Sequence, residues 1–231
     1  MHLASILTCL LAATVSVSAS PGSERTQKRP SLAVPRCPRK ATASFDKSVP
    51  EMKAFPNTQV DLCWEPTAFQ FTFKAFDETN FYFDPKHRTN DDIWKYEVME
   101  AFIYHGTNDP QTYFEFEVSP NNVTYQTFVY NPSKVRKEGA PFDHFFVSDP
   151  AADGFTSITT LDRKAQTWVS EVKIPLALFN VDRPRLSRWR MNFFRTVTSP
   201  ATYPNQELGA WNSPDVASFH VTPFFGDVIL V

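Results

Sequence analysis

Short runs in which apolar and polar residues alternate are the feature that most restricts the fold of this chain. Residues 69–73 (FQFTF) and residues 114–118 (FEFEV) place an apolar side chain at every second position. Because successive side chains of a β-strand point to opposite faces, this alternation predicts strands with one face in a core. Strands are expected at 58–64, 68–77, 81–84, 98–105, 112–118, 123–130, 167–174, 188–196 and 226–231.

The residues between these runs favour an all-β chain. The sequence has 231 residues with 19 prolines and only 6 glycines, and 22 phenylalanines can supply a large core. Prolines suit turns and strand ends better than helix interiors. A helical pattern appears only weakly at 175–179 (PLALF), and there are no internal repeats. We therefore predict an antiparallel, jelly-roll-like β-sandwich formed by a single domain at 41–231.

The first forty residues resemble targeting and connecting sequence. Residues 3–17 (LASILTCLLAATVSV) form an apolar run, and small residues precede Ser20, as in a secretory signal peptide at 1–19. The run is short for a membrane anchor. Residues 20–40 are rich in proline, serine and basic side chains, and we expect them to form a flexible arm. These features predict a secreted, extracellular protein with no membrane partner.

Two covalent features typical of secreted proteins are expected. Cys9 belongs to the signal peptide, which leaves Cys37 and Cys63 as an even pair in an oxidising compartment. A disulfide between them is the first interpretation, and two free thiols are the alternative. Asn122 begins the one clear N-glycosylation sequon, after a turn-like segment, so we expect it at the surface.

Charge and motif spacing argue against several functions. The formal net charge of -2 gives no electrostatic reason to expect nucleic acid as a partner. The histidines lack the paired spacing of a zinc site, and no G-x-S-x-G motif is present. Glu115 and Glu117 share one face of a strand, and Glu100 would lie near them if segments 98–105 and 112–118 pair. Paired carboxylates suit a glycosidase, but a solvated sheet face is the simpler interpretation.

An acidic loop and a tryptophan precede the strand that carries Glu100. Asp84, Asp91 and Asp92 offer hard oxygen ligands for Ca²⁺, although EF-hand spacing is missing and a solvated loop is the alternative. Trp94 follows this loop directly, where a role in the core is less expected. Sugar rings pack on aromatic faces while carboxylates accept hydrogen bonds from their hydroxyls, so Trp94 and Glu100 together indicate carbohydrate binding.

Five longer segments follow one another in the order YFDPKHRTNDDIWKYEVMEAFIYHG, YFEFEVSPNN, EVKIPLALF, RWRMNFFRT and WNSPDVASFHVTPFFGDVILV. In this order they resemble the family 9 carbohydrate-binding modules and their secreted fungal relatives. With their spacing they cover about residues 55–231, nearly the whole mature chain. The resemblance implies an antiparallel β-sandwich, often with structural calcium, that binds sugars without cutting them.

The resemblance also implies roles for individual residues. Trp94 and Glu100 match the first tryptophan of the family's sugar clamp and its strand glutamate, with the same separation. The second clamp position falls on Phe219, which replaces a tryptophan, and Glu117 aligns with a basic residue of the family. The implied carbohydrate-binding set is Trp94, Glu100 and Phe219, with Glu115 and Glu117 as additional members.

The expected function is that of a secreted, monomeric, non-catalytic protein that binds a plant or fungal cell-wall polysaccharide or oligosaccharide. Such binding would assist carbohydrate catabolism. No cofactor is required in this interpretation, and any calcium would be structural. The alternatives are a structural or host-interaction β-sandwich without sugar binding, and a glycoside hydrolase, for which the sequence offers no separate catalytic domain.

Overall fold

The computed structural model describes residues 29–231, so the predicted signal peptide and the first part of the predicted arm lie outside it. In chain order the strands are β1 (Ser31–Val34), β2 (Ala41–Lys47), β3 (Ala54–Glu65), β4 (Ala68–Ala75), β5 (Val98–His105), β6 (Thr112–Val118), β7 (Thr124–Tyr130), β8 (Asp143–Phe146), β9 (Thr156–Asp162), β10 (Thr167–Pro175), β11 (Arg188–Val197), β12 (Glu207–Ala210) and β13 (Gly226–Leu230). Three short 3-10 helices lie between them: η1 (Ile93–Lys95), η2 (Leu176–Phe179) and η3 (Thr222–Phe224). Within residues 29–231, no helix has the length and apolar character needed to cross a bilayer.

Two sheets pack face to face. The larger has the order β1-β13-β11-β5-β6-β7-β8, with β12 paired to β11, and the smaller has the order β2-β3-β4-β10-β9. Their strands pair antiparallel, except that β1 runs parallel to β13. Phe71 and Phe73 contact Phe193 and Phe116 across the core, with ring centroids 6.2 Å apart in each pair. The predicted antiparallel β-sandwich is confirmed.

Alternation along the central strands also creates an apolar outer face on the larger sheet. Phe116 points into the core between the sheets, whereas Phe102 and Phe194 belong to a second apolar cluster. Phe219 and Phe225, from the chain before β13, pack onto this second cluster. The segment that carries them therefore covers part of the outer face and forms one wall of the cavity described below.

Residues 81–84 do not form a strand, so that prediction is wrong. The backbone N–H groups of Phe81 and Tyr82 donate to the carboxylates of Glu78 and Glu97, at 2.9 and 2.7 Å, instead of pairing with a neighbouring strand. Phe81 has a φ of 47°, outside the extended region. Phe81 is nevertheless buried in the main core between the sheets.

Several elements were missed by the sequence analysis. Ser31–Val34, inside the segment expected to be a flexible arm, form β1, and Val34 is buried in the core. Strands β2, β8, β9 and β12 also lie outside the expected segments. In β9 no residue is buried, so this edge strand lacks the apolar alternation on which the prediction depended.

The predicted disulfide between Cys37 and Cys63 is present and attaches the chain after β1 to β3. Its cysteines are 26 residues apart in the sequence. A cross-link that closes a loop of this size restricts the unfolded chain and typically stabilises a domain by about 2–4 kcal/mol.

Removing the disulfide should therefore destabilise the domain without changing its fold. We expect the double variant Cys37→Ala/Cys63→Ala to lose about 2–4 kcal/mol of unfolding free energy in a urea titration. Wild-type protein treated with a thiol reductant should move toward the same midpoint. Equal midpoints for the oxidised wild type and the double variant would contradict this role.

Asn122 lies on the surface in the turn before β7, as expected for a glycosylation site. Its side-chain Nδ2 donates to the carbonyl of Ser157 at 3.0 Å, and its Oδ1 accepts from the hydroxyls of Ser157 and Thr159. Glycosylation of this residue stays a prediction.

Candidate functional site

A cavity of about 500 Å³ opens on the outer face of the larger sheet. Strands β5, β6, β7 and β8 contribute to its lining, together with η1 and the segment before β13. Aromatic side chains form much of the wall: Trp94, Tyr125, Phe142, Phe146 and Phe219. The volume suits a small ligand such as a sugar or a short oligosaccharide.

Three carboxyl groups lie together at this cavity. Strands β5 and β6 pair, which places Glu100 directly opposite Glu117, with Glu115 two residues along the same face. All three side chains are buried, with exposed fractions of 3%, 1% and 4% for Glu100, Glu117 and Glu115. One oxygen from each lies within 4.8 Å of the others. The antiparallel register therefore converts three separate strand glutamates into one group, called here the carboxylate triad.

Burial raises the pKa of every member of the carboxylate triad. Desolvation raises the pKa of Glu115 to about 8, although a hydrogen bond shared with Glu117 and the charge of Arg136 act in the opposite direction. The pKa values of Glu100 and Glu117 lie well above the usual 4.5, first because of burial and then because of the neighbouring carboxylates. Burial and the mutual repulsion of the carboxylates therefore disfavour full ionisation of the triad.

Two oxygen atoms of the triad lack a partner within the described part of the chain. Glu115 Oε2 and Glu117 Oε2 are buried and accept no hydrogen bond. The His144 Nε2 lies 4.0 Å from Glu115 Oε2, too far for a hydrogen bond. The triad consequently contains buried acceptor atoms that no donor among residues 29–231 satisfies.

Trp94 stands at the cavity with its side chain available. It lies in η1, and 45% of its surface is exposed, whereas the preceding Ile93 is buried. The Gln206 side chain donates to the Trp94 carbonyl at 2.7 Å, and the Lys95 ammonium lies 5.2 Å from the ring centroid. The backbone is thus fixed while the indole ring remains open to solvent.

Phe219, in contrast to Trp94, is largely buried. It lines the same cavity, but only 8% of its surface is exposed, because its ring stacks on Phe194 with centroids 4.2 Å apart. The structure therefore brings Trp94, the carboxylate triad and Phe219 to one cavity. A role for these residues in sugar binding stays a prediction, and Phe219 offers much less ring surface than Trp94.

The cavity contains further polar residues that the sequence analysis did not assign. His144 lies on β8, and the Nδ1 of His220 lies 2.6 Å from the hydroxyl oxygen of Tyr113. Burial lowers the pKa of both imidazoles, that of His220 to about 3, so both are neutral near pH 7. Their positions depend on pairings between distant segments, and no spacing in the sequence indicates them.

The acidic loop is not arranged as a metal site. Asp84 accepts from the Lys86 backbone N–H, and Asp91 accepts from that of Arg88, at 2.9 and 2.6 Å. Asp92 forms an ion pair with Lys95 at 2.6 Å. Each carboxylate is therefore used by a local partner. Within residues 29–231, the acidic and histidine ligand atoms that converge as a group of three belong to the carboxylate triad.

Comparison with known sequences identifies one relative of similar length. An extracellular protein of Arthroderma benhamiae is 62% identical over 202 residues, which cover 87% of this chain and 91% of that protein. No protein-family model matches the sequence. The name of this relative agrees with the predicted extracellular localisation.

Solved structures share the fold at low sequence identity. A candidate carbohydrate-binding protein from Bacteroides uniformis has a TM-score of 0.63 and 13% identity, over 88% of this chain and 99% of that one. A family 9 carbohydrate-binding module from Caldicellulosiruptor kristjanssonii, in complex with cellotriose, has a TM-score of 0.59 and 9% identity, over 87% and 93% of the two chains. Its glucose complex has a TM-score of 0.53 and 11% identity, over 87% and 83%. The chain therefore belongs to the family of the Arthroderma benhamiae extracellular protein, and its fold is that of the family 9 carbohydrate-binding modules.

Proposed function

We propose that this protein is secreted and binds carbohydrate without cleaving it, with the ligand held in the cavity on the outer face of the larger sheet. The observation that carries the proposal is the exposed Trp94 ring at the same cavity as the carboxylate triad. A large exposed indole is costly to solvate and is well suited to the flat apolar face of a pyranose ring. The triad would bind the hydroxyl groups around the edge of that ring.

The protonation of the triad suits hydroxyl recognition. A sugar hydroxyl both donates and accepts hydrogen bonds, and a protonated carboxyl group beside an ionised one offers both functions. All three glutamates line the cavity, so a ligand hydroxyl there can meet both a donor and an acceptor.

The fold neighbours support the same class of ligand. The Caldicellulosiruptor kristjanssonii module was solved with cellotriose and with glucose, which are β-linked glucose units and the free monosaccharide. On this basis plant or fungal cell-wall polysaccharides and their fragments are the first ligands to test.

Replacing the stacking ring is the direct test. We expect Trp94→Ala to weaken binding to the best ligand of a glycan panel by at least about tenfold, since aromatic anchors in binding sites carry roughly 2 kcal/mol or more. The affinity can be measured by isothermal titration calorimetry, and circular dichroism should show an unchanged β-sandwich. Trp94→Phe should recover part of the affinity.

Phe145→Ala provides a matched control. Phe145 is also an exposed aromatic residue of this region, with 59% of its surface exposed, but it does not line the cavity. Its removal should leave sugar affinity unchanged. If wild-type protein binds nothing across the panel, the structural or host-interaction interpretation replaces this proposal. An equal loss in Trp94→Ala and Phe145→Ala would place the ligand outside the cavity.

A glycoside hydrolase remains the second candidate because three carboxyl groups converge at an open cavity. Hydrolysis needs one carboxylic acid and one carboxylate flanking the scissile bond. Release of reducing sugar from a bound oligosaccharide, abolished in Glu100→Gln, would establish catalysis. We expect no release from wild-type protein during incubations in which binding is saturated.

A further inference from the structure

The carboxylate triad contains buried oxygen atoms that lack a hydrogen-bond partner. Glu100, Glu115 and Glu117 are each more than nine-tenths buried, yet Glu115 Oε2 and Glu117 Oε2 have no partner among residues 29–231. Buried acceptors of this kind are normally satisfied by a donor, a water molecule or an ion. Both residues line the cavity, so a small species from solvent can reach them.

The spacing of the triad fits one cation. One oxygen from each glutamate lies within 4.8 Å of the others. Two ligands that each lie about 2.4 Å from a calcium ion can be at most about 4.8 Å apart, so this spacing is compatible with ligands around a single ion. β5 and β6, the two strands that carry these residues, are held in place by backbone pairing with each other and by the pairing of β6 with β7.

The charge around the triad also favours a cation. The cavity lining contains five carboxyl groups, those of Asp92, Glu100, Glu115, Glu117 and Asp143. Arg136 also lines the cavity, and its guanidinium carbon lies 4.5 Å from the centroid of the Phe142 ring. The two histidines of the wall, His144 and His220, are neutral near pH 7 because burial lowers their pKa values. Ionising the triad therefore leaves the cavity strongly negative unless a cation enters.

We propose that Glu100, Glu115 and Glu117 form a binding site for one divalent cation of the oxygen-preferring class, represented by Ca²⁺. All ligand atoms are carboxylate oxygens, which hard cations prefer to nitrogen or sulfur. Ca²⁺ takes about 6–8 oxygen ligands, so the positions not filled by the triad belong to water in the cavity. The site lies on the sheet and is separate from the acidic loop of Asp84 and Asp91.

The proposal does not require sugar binding, and it can be tested on the free protein.

The experiment is a calcium titration of protein stripped with a chelator. Isothermal titration calorimetry gives both the affinity and the number of ions bound. We expect saturable binding of one ion in the range of about 10 µM to 1 mM and a higher melting temperature with calcium. Glu117→Gln, which keeps the side-chain shape, should weaken calcium binding by at least about tenfold.

Control variants separate the triad from other acidic groups. Asp91→Asn removes a carboxylate of the acidic loop, and Glu171→Gln removes an exposed carboxylate on β10. Both should bind calcium with wild-type affinity. The proposal is overturned if wild-type protein takes up no calcium at about 10 mM, well above the usual range of protein sites. It is equally overturned if Asp91→Asn loses binding while Glu117→Gln retains it. Glu100→Gln removes another carboxylate of the same triad, so the test stays decisive if Glu117→Gln fails to fold.

Discussion

Glu78→Ala should lower the free energy of unfolding by about 3–5 kcal/mol, the cost typical of breaking a buried ion pair from one side. Glu78 and Arg195 are both about 99% buried, and the Arg195 Nη2 donates to Glu78 Oε2 at 2.9 Å. The other oxygen of Glu78 accepts from the backbone N–H groups of Asn80 and Phe81. The truncation therefore leaves one buried cation and two backbone donors without their acceptor.

The loss of Glu78 should also weaken the contacts that Arg195 makes between the two sheets. The guanidinium of Arg195 also donates to the carbonyl of Phe76 at 3.1 Å and to the Thr58 hydroxyl at 3.3 Å, so it ties β11 to the smaller sheet. Without Glu78 this cross-sheet contact carries an uncompensated charge. Unfolding by urea, followed by tryptophan fluorescence, measures the loss, and the slope of the transition should stay unchanged.

Asp61→Ala is the control that shows how much a partly exposed ion pair contributes to the free energy of unfolding. Asp61 pairs with Lys74 at 2.6 Å, a shorter distance than that of Glu78 and Arg195, but both side chains are partly exposed. An exposed pair is worth about 0–1 kcal/mol because water already solvates the two charges. If Asp61→Ala and Glu78→Ala destabilise equally, burial is not what makes the Glu78 pair important.

Stability without divalent cations should fall as the pH rises through neutrality. The pKa values of Glu97 and Glu115 are raised to about 8, mainly by burial, and those of Glu100 and Glu117 are raised as well. A carboxyl group with a raised pKa in the folded state contributes its full stability below its unfolded pKa of about 4.5. This contribution is lost as the pH rises toward about 8. Each unit of pKa difference corresponds to about 1.4 kcal/mol, so the summed effect is several kcal/mol.

The histidines act in the opposite direction at lower pH. His144 and His220 have lowered pKa values, so they contribute stability above about pH 6.5 that is lost as the pH falls. The total profile therefore mixes two opposing trends. Comparison with Glu115→Gln isolates the carboxyl contribution, because the glutamine has no proton to lose.

The expected result is a difference that grows with pH. Glu115→Gln should gain stability relative to wild type by about 1–3 kcal/mol between about pH 5 and about pH 8. Urea titrations at several pH values in the presence of a chelator measure it. Glu171→Gln, at an exposed position on β10, should show a constant difference over the same range. A constant difference for Glu115→Gln would show that this carboxyl group ionises in the folded protein as readily as in the unfolded chain.

The sequence was informative wherever a local pattern matched a local physical cause. Alternating phenylalanines at 69–73 and 114–118 predicted strands with one buried face, and those strands form the core. Cys37 and Cys63 predicted the disulfide that the structure contains. Strand β9 was missed because none of its side chains is buried, and the loop at 81–84 was wrongly predicted to be a strand.

For the site, the sequence alone determined the chemistry available: an indole after an acidic loop and three glutamates on two apolar strands. The tertiary structure decided which of these meet. Antiparallel register sets Glu100 opposite Glu117. Asp84, Asp91 and Asp92, by contrast, each have a partner close by in the same loop. Packing between distant segments buries most of the Phe219 ring against Phe194 while Trp94 stays exposed. A local pattern specifies which face a side chain takes, but distances between strands and the burial of a ring depend on contacts between segments far apart in the chain.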